Sequence, residues 1–308
     1  MTMLHYAFRD HAIWQEPLRR EIPDLDFRDW KAIEDKASVT FALCWKPPPG
    51  LLLQYPNLRA VSSMGAGVEH LLGPDQVPAH VPIVRVVDDT MTAEMSEYIV
   101  LHVLRQHRQQ PLFAERQREG KWDWRFNRAT SEVTVGILGL GELGQDAAAK
   151  LGPIGFKVRG WSQGRKRIDG VESFAGLAEL PAFLSACDFL VCLLPLTAAT
   201  ENILNAKLFA QLPAGAHLVN VARGAHMVEA DLVTALDAGQ LASATLDVFR
   251  EEPLPAGHPF WTHPKIMVTP HISAVTRPEH VAPQIAENYR RALAGQPLLN
   301  LVDRTRGY

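Results

Sequence analysis

The 308-residue sequence has only three cysteines, Cys44, Cys187 and Cys192, and no two of them form a CxxC pair. Neither a disulfide framework nor a structural zinc site is expected from so few, and no metal site is predicted. Charge of one sign is missing as well, since 31 Lys and Arg stand against 34 Asp and Glu for a net charge of −3. That balance offers no electrostatic footprint for nucleic acid or for an anionic membrane surface. No apolar run is long enough to span a bilayer, and residues 1–10 alternate apolar with charged positions where a secretory leader would carry an apolar block. The cytoplasm is the predicted location. Repeats with a clear period are absent, and low complexity is confined to the stiff turn at Pro47, Pro48 and Pro49.

What is present is a chain 47% hydrophobic and long enough for two packed domains. From Ser131 onward, apolar strand-like runs at 133–138, 157–161, 189–193, 217–221, 244–249 and 266–269 alternate with helical patterns near 143–152, 177–186, 203–211 and 229–238. Six parallel strands in this rhythm predict a doubly wound α/β (Rossmann) domain. A weaker version of the rhythm precedes it, with strand-like runs at 3–8, 39–44, 58–62 and 83–87, followed by one long helix over 91–110. A last helix over 279–294 returns the chain to the first domain. The prediction is a discontinuous, smaller flavodoxin-like α/β domain made of residues 1–98 and 274–308, and a dinucleotide-binding domain over 99–273.

The strand ending at Leu138 runs into Gly139-Leu-Gly141-Glu142-Leu143-Gly144, a GxGxxG turn that opens a helix. The first glycine allows the tight turn, the second lets the backbone approach a pyrophosphate, and the third lets helix and strand pack closely. The helix N-terminus adds free N–H groups and a positive dipole end. Dinucleotide binding follows from that context. An NAD site would carry an acidic residue after the second strand to hold the ribose 2′-hydroxyl. Here Trp161 is followed by Ser162, and then by the cations Arg165, Lys166 and Arg167. A hydroxyl and cations suit a 2′-phosphate, so NADPH is the expected cofactor, with NADH a less preferred one.

Three residues with useful chemistry follow three successive strand runs: Arg223, Glu252 and His271. In open parallel sheets ligands bind outside the carboxyl ends of the strands, which brings these side chains and the glycine turn toward one crevice. Reducing a ketone by hydride transfer needs a proton donor at the carbonyl oxygen, and His271 suits that task. Glu252 would favour and orient its imidazolium. The planar fork of Arg223 can bind a substrate carboxylate and polarise the neighbouring carbonyl.

These motifs, taken with Leu193-Leu194-Pro195-Leu-Thr197, Asn220-Val221-Ala222-Arg223-Gly224, Leu246-Asp247-Val-Phe-Arg-Glu-Glu252-Pro-Leu254 and Thr269-Pro-His271-Ile-Ser273, resemble the D-isomer-specific 2-hydroxyacid dehydrogenases. The resemblance implies that Arg223 binds substrate, His271 is the acid/base and Glu252 its partner. Glu251 is the wrong member of the acidic pair, because the family glutamate stands immediately before Pro-Leu. It further implies that Asp247 contacts the nicotinamide carboxamide, and that Leu194 and Pro195, with Val221 and Ala222, line the cofactor pocket. Within the family the chain resembles the glyoxylate/hydroxypyruvate reductase branch, at Trp45-Lys-Pro-Pro48, at Trp161-Ser162 and along the C-terminal Val302-Asp-Arg-Thr-Arg-Gly-Tyr308. Gln163 and Gly164 depart from that branch in the 2′-phosphate loop.

The stretch Met64-Gly65-Ala66-Gly67 is similar to the family loop whose backbone N–H groups hold the substrate carboxylate; read without the family, it is a strand-to-helix turn. Trp45 is either a wall of the substrate pocket or core. Relatives imply a homodimer through the cofactor domains, with the helix after Met91 and Trp122 and Trp124 at the interface. Two other readings of function stand beside the leading one: a D-2-hydroxyacid dehydrogenase for a larger 2-keto acid, and a nucleotide-sensing protein resembling the corepressors of this fold. The second would want long tails or a basic face, and the sequence has neither.

Overall fold

Strands buried on both faces must be apolar throughout, and that is how both sheets are built. The computed structural model describes residues 1–7 and 11–308, and its chain divides into two units, Met1–Met91 with Val275–Tyr308, and Thr92–Ala274. The division at the first residues falls inside one helix, a few residues before the expected boundary.

In the first unit, strands β1 (Thr2–Tyr6), β2 (Asp26–Asp29), β3 (Val39–Cys44), β4 (Ala60–Ser63) and β5 (Ile83–Val84) form a parallel sheet in the order β2-β1-β3-β4-β5. This is the flavodoxin-like order. Every residue of β3 and of β4 is buried. Phe8, the last residue of the expected first strand, lies outside the described residues. β2 is absent from the expected set because its sequence, Asp-Phe-Arg-Asp, buries only Phe27. Helix α1 (Ala12–Glu21) packs on the last helix of the chain, which itself runs from Pro278.

The second unit opens with α2 (Asp89–His107) and α3 (Gln110–Arg118), where a single helix over 91–110 was expected. Pro111 explains the break, since its ring would clash with the carbonyl four residues back, and Gln109 turns the chain at φ +53°. Strands β6 (Thr134–Leu138), β7 (Lys157–Ser162), β8 (Val171–Ala175), β9 (Phe189–Cys192), β10 (Ala216–Asn220), β11 (Leu241–Leu246) and β12 (Ile266–Val268) form a parallel sheet in the order β12-β11-β10-β9-β6-β7-β8. This is the doubly wound order of two mononucleotide-binding halves with one more strand at the far edge. Six strands were expected; β8 escaped because it is a half-polar edge strand with no fully buried residue.

Between the strands lie α4 (Glu142–Ile154), α5 (Gly176–Leu184), α6 (Ala206–Phe209) and α7 (Glu229–Asp237), and α8 (Pro278–Ala294) closes the first unit. The expected 203–211 helix shrinks to α6, because the Asn205 side chain caps it by accepting from the Leu208 amide. Alternate residues of each strand face opposite cores. Val135, Ile137, Phe189 and Val191 pack with Ile99 and Val103 of α2 and Ala147 and Leu151 of α4. Leu138, Leu190 and Cys192 pack with Phe183, Phe209, Leu232 and Leu236 of α5 to α7. All three cysteines are buried thiols without a disulfide, and burial pushes Cys187 and Cys192 up to about 12. Among the described residues no helix is long and apolar enough to cross a membrane.

Candidate active site

The turn after β6 has the geometry that its glycines require. Gly139 adopts φ +104°, and a Cβ there would lie 2.8 Å from the Leu193 carbonyl oxygen. At Gly144 a Cβ would lie 1.9 Å from the Gly139 carbonyl oxygen, which forces glycine where α4 meets its own strand turn. Gly141, by contrast, has nothing within 4 Å of the Cβ position and is the N-cap of α4 without a side-chain cap. An open cradle at an uncapped helix N-terminus fits a dinucleotide pyrophosphate. Glu142 is exposed and Leu143 half-buried on the first turn.

At the end of β7, Trp161 is buried and its indole N–H donates to the Gly176 carbonyl at 2.8 Å. The Ser162 hydroxyl donates to the Gly164 carbonyl at 2.7 Å. Arg165 donates to the Ser173 carbonyl at 2.6 Å and pairs with Glu179, whereas Lys166 and Arg167 are exposed beside it. The basic cluster therefore contains one cation already held by a carboxylate, a contact that the sequence pattern gave no sign of.

Arg223 stands three residues beyond β10, with its guanidinium donating to the Ala222 carbonyl at 2.6 Å. Its backbone is fixed from two sides. The Asn220 side chain accepts from Ala222 N and donates to the Arg223 carbonyl, both at 3.2 Å. His226, fully buried, takes the Arg223 N–H on Nδ1 at 3.2 Å and reaches the Pro195 carbonyl from Nε2 at 3.3 Å. A neutral ring protonated on Nε2 satisfies both contacts. His226 thus ties the Arg223 turn to Leu194 and Pro195 at the end of β9. Nothing in the sequence singled it out, because a histidine three residues past an arginine carries no pattern of its own.

The expected strand over 244–249 ends instead at Leu246, so Asp247 begins the connection. Its carboxylate is fully buried and accepts from Thr269 Oγ1 at 2.6 Å, Ile272 N at 2.9 Å and Ser273 N at 2.8 Å. Those last two amides flank His271 on its C-terminal side, and His271 itself sits at φ +54°. A left-handed backbone at a bulky residue needs outside support, and the buried carboxylate supplies it. The His271 Nδ1 lies 3.0 Å from Glu252 Oε2, while Glu252 Oε1 accepts from Phe249 N at 3.1 Å. Glu251 is exposed, whereas Glu252 is half-buried. With Nδ1 engaged by a carboxylate, Nε2 is the ring nitrogen available to exchange a proton.

In the first unit, Gly65 lies under Trp45: a Cβ on Gly65 would be 3.1 Å from the indole. The indole in turn packs on His70, ring centroids 4.6 Å apart. Ser63 Oγ donates to the Gly67 carbonyl at 2.7 Å, and the Gly65 carbonyl accepts from Val86 N at 3.2 Å. Met64 N is spent on the Cys44 carbonyl at 3.1 Å. Among the described residues, the amides of Ala66 and Gly67 meet no acceptor. Two consecutive free amides in a glycine loop are suited to an anion.

Comparison with known proteins identifies the family of the chain. The family described as D-isomer specific 2-hydroxyacid dehydrogenase, NAD binding domain, matches residues 100–273. The glyoxylate/hydroxypyruvate reductase A of Yersinia enterocolitica is 43% identical over 311 aligned positions, covering 99% of both chains. That of Serratia proteamaculans is 42% identical with the same coverage. Among solved structures, a D-isomer specific 2-hydroxyacid dehydrogenase from Xanthobacter autotrophicus Py2, in complex with NADPH and MES, is 44% identical with a TM-score of 0.94, covering 100% of this chain and 99% of that one. An NADPH-dependent glyoxylate/hydroxypyruvate reductase from Sinorhizobium meliloti, in complex with NADP and sulfate, is 37% identical with a TM-score of 0.93 and complete coverage of both.

Proposed function

Because the chain belongs to the D-isomer specific 2-hydroxyacid dehydrogenase family, we propose that it is an NADPH-dependent reductase that converts a small 2-keto acid, of the glyoxylate or hydroxypyruvate type, to the D-2-hydroxy acid. The observation that carries the reading is the 3.0 Å contact between His271 Nδ1 and Glu252 Oε2, two residues that, like the glycine turn after β6, lie beyond the carboxyl ends of strands of one parallel sheet.

NADPH, when bound, supplies the hydride that the carbonyl carbon accepts. The chain supplies the rest. His271 donates the Nε2 proton to the carbonyl oxygen as the new C–H bond forms, and leaves the step neutral. Glu252 stays ionised and stabilises the imidazolium that precedes the transfer. Arg223 holds the substrate carboxylate and polarises the carbonyl. In the other unit, the loop Met64-Gly65-Ala66-Gly67, with the free amides of Ala66 and Gly67, is suited to a carboxylate, and Trp45 beside Gly65 is suited to limit the size of the group next to it.

For the cofactor, the uncapped α4 N-terminus with Gly139, Gly141, Glu142, Leu143 and Gly144 takes the pyrophosphate, and Ser162, Arg165 and Lys166 take the 2′-phosphate beside Trp161. Leu194, Pro195, Val221 and Ala222 form the wall for the nicotinamide, with Asp247 toward its carboxamide. The enzyme works in the cytoplasm as a homodimer joined through the Thr92–Ala274 unit. Supporting the dimer, Trp122 is 99% exposed and Trp124 66% exposed within one chain, a costly display for a monomer. Light scattering that gave a monomer at micromolar concentration would remove that part of the reading.

Replacing His271 by Gln tests the chemistry. Turnover is expected to fall at least about a hundredfold, the usual size of a general-acid contribution; turnover close to that of the unaltered enzyme would refute the assignment.

A further inference from the structure

The hydrogen bonds behind the His271 turn lead to a side chain that has no role in the reading above. Tyr98 Oη, on α2, lies 2.6 Å from Thr269 Oγ1, and Thr269 Oγ1 lies 2.6 Å from Asp247 Oδ1. An ionised carboxylate only accepts, so the threonine hydroxyl donates to Asp247, and the tyrosine hydroxyl is left as the donor to Thr269. The direction of the chain, Tyr98 to Thr269 to Asp247, follows from the chemistry of its last member.

Asp247 uses both oxygens on the two amides that follow His271 as well. Its carboxylate is therefore the hinge pin of the 269–273 turn, and the tyrosine sets how the hydroxyl beside it points. Burial raises the Tyr98 phenol above its ordinary value; the hydrogen bond with Thr269 and, more weakly, Arg105 oppose the rise and Asp247 adds to it, and the net shift is upward, so the hydroxyl keeps its proton. One turn along α2, the His102 ring packs on the phenol with centroids 4.2 Å apart. Burial, aided by Arg105, holds that histidine down to about 4, and it packs as a neutral ring. A tyrosine that only filled space on α2 would not need its hydroxyl delivered to a threonine that is already engaged with a buried carboxylate.

We propose that Tyr98 is a positioning residue for the reduction: through Thr269 and Asp247 it holds the 269–273 turn, and with it the His271 imidazole, in the orientation that proton transfer needs. This rests on the acid role given to His271. The mechanism is geometric, because displacing a catalytic group by as little as about 1 Å is enough to cost up to about a hundredfold in rate.

The experiment compares Tyr98→Phe, Thr269→Val, Thr269→Ser, the Tyr98→Phe/Thr269→Val double variant and His271→Gln in the full-length enzyme. Readouts are single-turnover hydride transfer from NADPH to glyoxylate, NADPH binding, and the melting temperature. Tyr98→Phe is expected to slow hydride transfer about five- to twentyfold, with NADPH affinity within about twofold and the melting temperature nearly unchanged. Thr269→Val is expected to slow it at least as much, and Thr269→Ser to recover most of that loss. The double variant is expected to be no slower than Thr269→Val alone, since both break one chain. The inference is overturned if Tyr98→Phe lowers the melting temperature but leaves the transfer rate within twofold, or if the two losses multiply in the double variant. A silent His271→Gln would remove the acid assignment itself. An inactive His271→Gln beside a silent Tyr98→Phe would remove only the role of Tyr98.

Discussion

A Cβ on Gly224 would lie 1.9 Å from the carbonyl carbon of Phe249. The turn that presents Arg223 is thus packed directly on the backbone that leads to Glu252, with no side chain between them. Arg250 reinforces the junction, donating from Nε to the Met227 carbonyl at 3.0 Å and from its guanidinium to Ala225 O and to the Asn202 side chain. Two of the three chemical residues are therefore held at a separation set by main chain.

From this packing, Gly224→Ala is expected to be among the most damaging single-methyl changes in the chain. The backbone on both sides must move, at a cost at or above the upper end of the usual range for overpacked sites, about 1–3 kcal/mol. Thermal unfolding should show a drop of several degrees, and kcat should fall with it. An unchanged melting temperature with normal kcat would mean that the two turns are not rigidly joined.

Cofactor choice is testable at the end of β7. Placing a carboxylate at position 162 by Ser162→Asp restores a 2′-hydroxyl ligand and repels a 2′-phosphate. The ratio of kcat/KM for NADPH over NADH is expected to fall at least about tenfold, the equivalent of roughly 1.4 kcal/mol. Glu179→Gln should act in the opposite sense, because it releases Arg165 from its carboxylate partner. Steady-state kinetics with both cofactors reads both changes, and a ratio that stays fixed in Ser162→Asp would place the 2′-phosphate elsewhere.

Much of this arrangement was legible in the sequence, and the parts that were not have physical reasons. The glycine turn, the strand rhythm and the order of Arg223, Glu252 and His271 are local patterns, each readable from spacing. The edge strands β2 and β8 were missed because an edge needs few apolar residues, so its sequence looks like a loop. Asp247 was read as lying within the strand run 244–249, with a cofactor role known only through the family resemblance, since nothing local distinguishes a buried carboxylate that gathers amides from 25 and 26 residues further on. His226, Arg250 and Tyr98 were invisible for the same reason: their partners lie 31, 48 and 171 residues away along the chain. Contacts of that kind belong to the tertiary fold and leave no period in the sequence.

Stability should depend on pH through two neutral histidines. Burial holds both His102 and His217 down to about 4, against an ordinary value of 6.5; the latter is stacked on Phe189 and hydrogen-bonded to Ser243 Oγ at 2.8 Å. Between pH 4 and 6.5 the unfolded chain binds protons that the folded protein refuses, so stability rises with pH across that window and is lost as pH falls through it. Urea unfolding at pH 7 and pH 5 is expected to differ by on the order of 1 kcal/mol for each ring. His217→Gln should reduce that difference, and a variant that kept the full dependence would show that His217 titrates normally.

The central claim is settled most directly by initial rates with glyoxylate and hydroxypyruvate, each measured with NADPH and with NADH at the same pH. The account predicts rapid consumption of NADPH, a higher kcat/KM with NADPH than with NADH for at least one of the two acids, and D-2-hydroxy acid as product. Preference for NADH with both acids, or no consumption of either cofactor, would contradict it.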